Sequence, residues 1–125
     1  VSQASFDPPL LMVAVREGSQ LLAAVMEAGA FAINLPGIDQ QNLVAAFFKP
    51  NNTTANQLGG QPFRPGPATG APILTAVPAW LEARVLETVD RGDHTILVTE
   101  IVDAGIADPE IQPLALRDTP WKYAH

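Results

Sequence analysis

The sequence predicts a mainly β, α+β domain built on an antiparallel sheet or small barrel. Strand-like apolar runs cluster late in the chain and two short helix-like runs sit early. Arg91-Gly92-Asp93 supplies a tight-turn signature between two long runs of strand character. The twelve prolines fall at 8–9, 36, 50, 62–78 and 109–120, in connections rather than inside the apolar runs.

Taken in order, Leu10–Val15 is a continuous apolar run whose length and β-branched content predict a strand buried on both faces. Arg16-Glu17-Gly18 turns the chain and Ser19 is placed to cap a helix. Leu21, Leu22, Val25 and Met26 share one face of that helix, and Gly29 stands where a left-handed residue would end it. Phe31–Leu35 reads as a short strand stopped by Pro36-Gly37. Asp39 is placed to cap a second helix carrying Leu43, Val44, Phe47 and Phe48 on one face, with Pro50 at its exit. Lys49 to about Pro72 is a long polar, Pro/Gly-rich connection, a length that usually signals function. Ala79–Val89 has the composition of a helix, but Leu81, Ala83, Val85 and Val89 alternate with polar neighbours, so it is read as a strand. It pairs in a hairpin with His94–Val102, and a last strand is expected near Ile111–Leu116.

At 125 residues the chain is one domain, with enough apolar content (47%) to offset the entropy of ordering it. A net charge of −6 argues against nucleic acid, whose phosphates demand a Lys/Arg surface, and against an anionic membrane. A single phosphate group remains possible, because a few N–H groups and one or two cations can hold it. The absence of cysteine excludes disulfides, thiolate catalysis and iron–sulfur chemistry, and no His/carboxylate spacing suggests a metal. The apolar runs are too short to span a bilayer as helices and no signal-peptide pattern opens the chain, which together suggest a cytoplasmic protein.

Neither G-x-G-x-x-G, a P-loop nor a G-x-S-x-G elbow occurs. Gly92-Asp93-His94 can be plain turn chemistry with an exposed histidine, or an imidazole anchored at a strand start to face a cofactor. Ser2, Gln3 and Ser5 can end a polar strand, or offer donors to a polar ring. Asn34 can cap its own turn or bond a ligand. Phe47, Phe48, Trp80, Trp121 and Tyr123 read as core or interface residues.

Together these segments resemble the flavin reductase-like family. Val1-Ser2-Gln3-Ala4-Ser5-Phe6-Asp7-Pro8-Pro9-Leu10 resembles its Ser/Thr-rich strand leading into Asp-Pro-Pro; Phe31-Ala32-Ile33-Asn34-Leu35 is similar to its Phe-x-Val-Asn motif. Gly92-Asp93-His94-Thr95-Ile96-Leu97-Val98 is similar to its Gly-Asp-His motif, and Pro113–Leu116 with Trp121 and Tyr123 resembles the closing strand and tail of a cyanobacterial-type branch. The resemblance implies a six-stranded antiparallel split β-barrel with two or three short helices, a homodimer with FMN (or FAD) at or near its interface, and NAD(P)H as reductant. It implies that Ser2, Gln3, Ala4 and Ser5 run beside the isoalloxazine and that Asn34 and Leu35 line it. Ser19 and Arg16 would hold the phosphate, and His94 would sit by the reactive face. Hydride would pass from NAD(P)H to flavin N5, and a redox partner protein could take the electrons onward. Two other readings stay open: a non-catalytic FMN electron-transfer module, and a flavin-less dimerisation barrel.

Three departures accompany the resemblance. The family carries a segment like Gly-x-Thr-Ala-Ser-Trp ahead of the position of Val1, so residues 1–125 are expected to form a single domain lacking that N-terminal strand. The family's Ser-x-Thr is Ser19-Gln20-Leu21 here, and Ala124-His125 stand where related tails carry glycines.

Overall fold

The core sits where one face of a five-stranded antiparallel sheet meets a single helix. In this computed structural model, residues 1–48, 57–115, 117, 119 and 120 are described. The elements are β1 (Ser2–Ser5), β2 (Leu10–Arg16), α1 (Gln20–Ala28), β3 (Ala30–Leu35), α2 (Gln41–Ala45) with a 3-10 turn (Ala46–Phe48), β4 (Gln57–Leu58), β5 (Gln61–Pro65), β6 (Pro72–Leu74), β7 (Ala79–Asp90) and β8 (His94–Ile106). The main sheet runs β1-β2-β8-β7-β3, and β4-β5-β6 form a second sheet of three strands. The chain is thus mainly β with few helices, as the sequence predicts. The described strands form an open five-stranded sheet and a separate three-stranded one rather than a single six-stranded barrel. The stretch read as one long connection supplies the difference, because β4 and β5 lie inside it.

Directly paired residues of antiparallel strands share a face. The inner face carries Leu11, Val13 and Val15 of β2, and Thr95, Leu97 and Thr99 of β8. Val15 and Leu97 pack with Leu22 and Val25 of α1, flanked by Val13, Phe31 and Val85. Helix α1 is cut as the sequence dictates: Ser19 Oγ accepts the Leu22 N–H at 3.1 Å, and Gly29 ends the helix at φ 70°. Only Leu22 and Val25 of its apolar residues are buried; Leu21 and Met26 stay exposed.

β2 is not buried on both faces, because Met12 is 41% exposed on the outer one. That outer face is divided. At the β7–β3 side the three-stranded sheet covers it, and buried Glu82 is the clamp: its carboxylate accepts the Ala68 N–H (3.1 Å), the Thr69 N–H (2.9 Å) and the Thr69 hydroxyl (2.6 Å). Gly66 is required there, since a Cβ would collide with the Glu82 carboxylate. Arg84 adds a bond to the Ala68 carbonyl at 2.8 Å. At the β2–β8 side no other described strand or helix covers the outer face, and Met12 and Ile96 stay exposed there.

Two expected local features differ. Asp39 does not cap α2; Gln40 stands at its start and makes no side-chain cap, because its amide bonds the Gly37 N–H and the Ala76 carbonyl, both at 2.8 Å. Around Ile111–Leu116 the described residues form only an isolated bridge, Gly37 to Pro113. Leu116, the start of the long connection (residues 49–56), Trp121, Tyr123 and the Phe48 side chain lie outside what is described. Among the described residues, no helix is long and apolar enough to cross a membrane.

Burial pushes the Glu82 carboxyl up, but the Thr69 and Ala68 hydrogen bonds and the Arg64 charge outweigh it and hold it below its usual 4.5. The clamp's contribution is therefore complete above that value and fades as pH falls through the lower, folded one. Glu82→Gln should cost about 1–3 kcal/mol at neutral pH. The gap to the unsubstituted protein in urea-unfolding midpoints should narrow as pH falls below the usual carboxylate range; a gap that widens in acid contradicts the clamp.

Candidate functional site

Three of the residues singled out in the sequence meet at one end of the main sheet. β2 and β8 pair over their shared length from Leu10↔Glu100 to Arg16↔His94, so the last residue of β2 stands opposite the first of β8. Beyond Arg16 the chain turns through Glu17 and Gly18 into the Ser19 cap. The Ser19 N–H reaches back to the Arg16 carbonyl at 3.3 Å. Ser19 Oγ spends an acceptor lone pair on its helix and keeps its O–H to donate. The start of α1 adds N–H groups with the positive end of the helix dipole. Arg16, the Ser19 hydroxyl and this helix start are thus donors of the kind a phosphate takes, at one end of the sheet, with Arg16 on its outer face and α1 packed on its inner one.

His94 is 30% exposed and its Nδ1 lies 2.8 Å from Asp93 Oδ1. The hydrogen bond and charge of His94 hold the exposed Asp93 carboxyl below its usual range. An ionised Asp93 accepts the proton on Nδ1, which makes Nε2 an acceptor in the neutral ring and a donor in the charged one. The imidazole is oriented rather than free.

The outer face between these groups is apolar. Met12, Ala14, Ile96, Val98 and Val89 share it with Arg16 and His94. Met12, Val89 and Ile96 are 39–42% exposed, so a contiguous apolar strip lies open across three strands. Ser2, opposite Met12, belongs to the same face. Ser2, Gln3 and Ala4 lie exposed on the sheet's edge strand, with a bulge between Gln3 and Ser5 that leaves Ala4 unpaired. Ser5 sits beside Leu10, roughly 20 Å along the strand from Arg16 at ~3.3 Å per residue.

Asn34 and Leu35 are not brought to this cluster. They lie on the opposite edge strand, where Asn34 pairs with Trp80 and Trp80 with Gly105, near the far end of β8 from His94. The Asn34 amide is occupied: Oδ1 accepts the Leu74 N–H at 2.8 Å and Nδ2 donates to the Pro72 carbonyl at 3.3 Å. It staples β3 to β6. Beside it a cavity of about 300 Å³ is lined by Asn34, Pro36, Leu43, Val44, Phe47, Leu58, Leu74 and Val77. Phe47 therefore does line apolar space, and Trp80 stacks under Arg64 at 5.1 Å, both in keeping with packing roles.

Glu17 and Thr95, not among the expected site residues, stand beside this cluster and are joined by a 2.6 Å hydrogen bond. No local pattern could have revealed two residues so far apart in the chain.

A family profile described as the flavin reductase like domain matches residues 1–122. The chain belongs to that family. The NADH-dependent flavin reductase of Kitasatospora aureofaciens is 36% identical over 105 residues, covering 83% of this chain and 53% of the relative. The NADH-dependent FMN reductase RutF of Pseudomonas syringae pv. syringae is 33% identical over 96 residues, covering 77% and 53%. The reductase component of a flavin-dependent trigonelline monooxygenase from Acinetobacter baylyi is 29% identical over 97 residues, covering 78% and 30%. Among solved structures, the NADH:FAD oxidoreductase SgcE6 of Streptomyces globisporus C-1027 superposes with TM-score 0.78 at 22% identity, over 90% of this chain and 66% of that one, which speaks to the fold. The chain spans about half the length of the first curated relative or less than that of others.

Because the Asn34 amide serves β6, its loss should act first on stability. Asn34→Ala should lower the unfolding free energy by about 1–3 kcal/mol in flavin-free protein, read from chemical denaturation. Unchanged stability with abolished flavin binding would instead make it a ligand contact.

Proposed function

We propose that this chain is the flavin-binding part of an NAD(P)H:flavin oxidoreductase that passes reducing equivalents through FMN to an acceptor. The observation that carries the reading is the meeting of Arg16, Ser19 and the Asp93-oriented His94 at the paired ends of β2 and β8. The names of the relatives support NADH and a flavin; the RutF name supports FMN in particular, and SgcE6 leaves FAD as the other form.

Flavin, when bound, supplies the hydride-accepting chemistry. The protein's own work is to bind and orient. Arg16, the Ser19 hydroxyl and the start of α1 hold the phosphate. Ser2, Gln3, Ala4 and Ser5 offer hydroxyl, amide and free edge-strand groups to the polar rim of the ring. His94 Nε2, fixed by Asp93, hydrogen-bonds the nicotinamide amide and brings it to the ring, so alignment rather than covalent catalysis supplies the rate. In this reading Leu35 reaches the flavin only from a second copy, and Asn34, its amide committed to β6, shapes that edge rather than bonding the ring.

The bare strip at Met12, Ala14, Val89 and Ile96 supports such a homodimer, because a second copy would bury it and shield the site from water. The five- and three-stranded sheets are read as two halves of the family's split barrel. The trigonelline monooxygenase relative supports a protein acceptor, and the reading places the protein in the cytoplasm with its nicotinamide pool.

Purified full-length protein should bind FMN and bleach it anaerobically with NADH in stopped flow. His94→Ala should lower kcat/KM for NADH about tenfold, the scale of one orienting hydrogen bond, with FMN affinity retained; full-rate bleaching removes the role given to His94. FMN binding without any bleaching favours an electron-transfer module. Ile96→Glu should convert the dimer to a monomer in light scattering and weaken FMN binding. A monomer that binds FMN normally contradicts the shared site.

A further inference from the structure

Glu17 lies in the chain between the two residues assigned to the phosphate, Arg16 and Ser19, and it bonds the residues on both sides of His94, Asp93 in the turn and Thr95 in β8. Its main-chain N–H donates to the Asp93 carbonyl at 2.9 Å. Its side chain accepts the hydroxyl of Thr95, a buried residue, at 2.6 Å. The next residue, Gly18, has φ 78° and no atom within 4 Å of its Cβ position, so no packing at that glycine holds the turn to β8. A carboxylate beside a phosphate site is moreover electrostatically unfavourable. What Glu17 provides must therefore be geometric.

We propose that Glu17 is a positioning residue whose hydrogen bond to Thr95 locks the β2–α1 turn onto β8. The ladder already fixes Arg16 opposite His94, so the bond sets where Ser19 and the start of α1 stand relative to that pair. Glu17 touches neither flavin nor nicotinamide. The inference rests on the assignment of the phosphate to Arg16 and Ser19 made above.

Bond and charge can be separated, because glutamine keeps the acceptor and sheds the charge. Riboflavin, which lacks the phosphate, separates positioning from general damage. FMN and riboflavin dissociation constants should be measured by flavin fluorescence on the full-length protein carrying Glu17→Ala, Glu17→Gln, Thr95→Val or Arg16→Ala. Glu17→Ala and Thr95→Val should weaken FMN about five- to tenfold and leave riboflavin unchanged. Glu17→Gln should bind FMN at least as tightly as the unsubstituted protein. Equal losses for both flavins, or no loss in Thr95→Val and Glu17→Ala while Arg16→Ala does weaken FMN, overturn the positioning role alone. If Arg16→Ala leaves the preference for FMN over riboflavin intact, the phosphate assignment itself falls and takes the proposal with it.

Discussion

The register between β2 and β8 is the constraint on which the rest depends. Seven consecutive pairs fix Arg16 opposite His94, Val15 opposite Thr95 and Leu11 opposite Thr99. A slip of one residue would turn Leu11, Val13 and Val15 out of the core and Met12 and Ala14 into it. The core therefore enforces the register: Val15 and Leu97 are held against Leu22 and Val25 of α1. Buried Thr99 adds a hydrogen bond to the Leu11 carbonyl at 3.1 Å. The same packing that stabilises the inner face thus places a guanidinium and an imidazole on the outer one.

The outer face is where structure and function divide. Over β7 and β3 it is closed by the three-stranded sheet, through the Glu82 clamp on residues 66–70 and the Asn34 staple to β6. Over β2 and β8 it is left apolar and open, bordered by Ser2 at one edge and by Arg16 and His94 at the end. Leaving such a strip bare costs solubility unless something covers it. A planar ring and a second protomer are the covers that the proposed function supplies.

Much of the frame was legible from local signals. Ser19 and Gly29 marked α1 because capping and left-handed residues act within one turn. The β7–β8 hairpin followed from alternation and its turn, although Leu, Glu, Ala and Arg argued for a helix. What stayed hidden depends on distant partners. Asp39 was the better local cap, yet Gln40 starts α2 with its amide committed to Gly37 and Ala76. Ile111–Leu116 had strand composition, but its described residues form only one bridge, near Pro36-Gly37. Asn34 had the look of a ligand group, and its amide is occupied by β6. The Glu17–Thr95 bond spans 78 positions and leaves no trace in either neighbourhood.

The most direct test maps flavin onto the β2–β8 end. Backbone amide chemical shifts of the protein, followed by NMR during titration with FMN, report where the cofactor sits without relying on turnover. The account predicts perturbations concentrated at residues 16–22, 93–95 and along β1. Shifts confined to the lining of the cavity beside Asn34, with residues 16–22 and His94 silent, would contradict it.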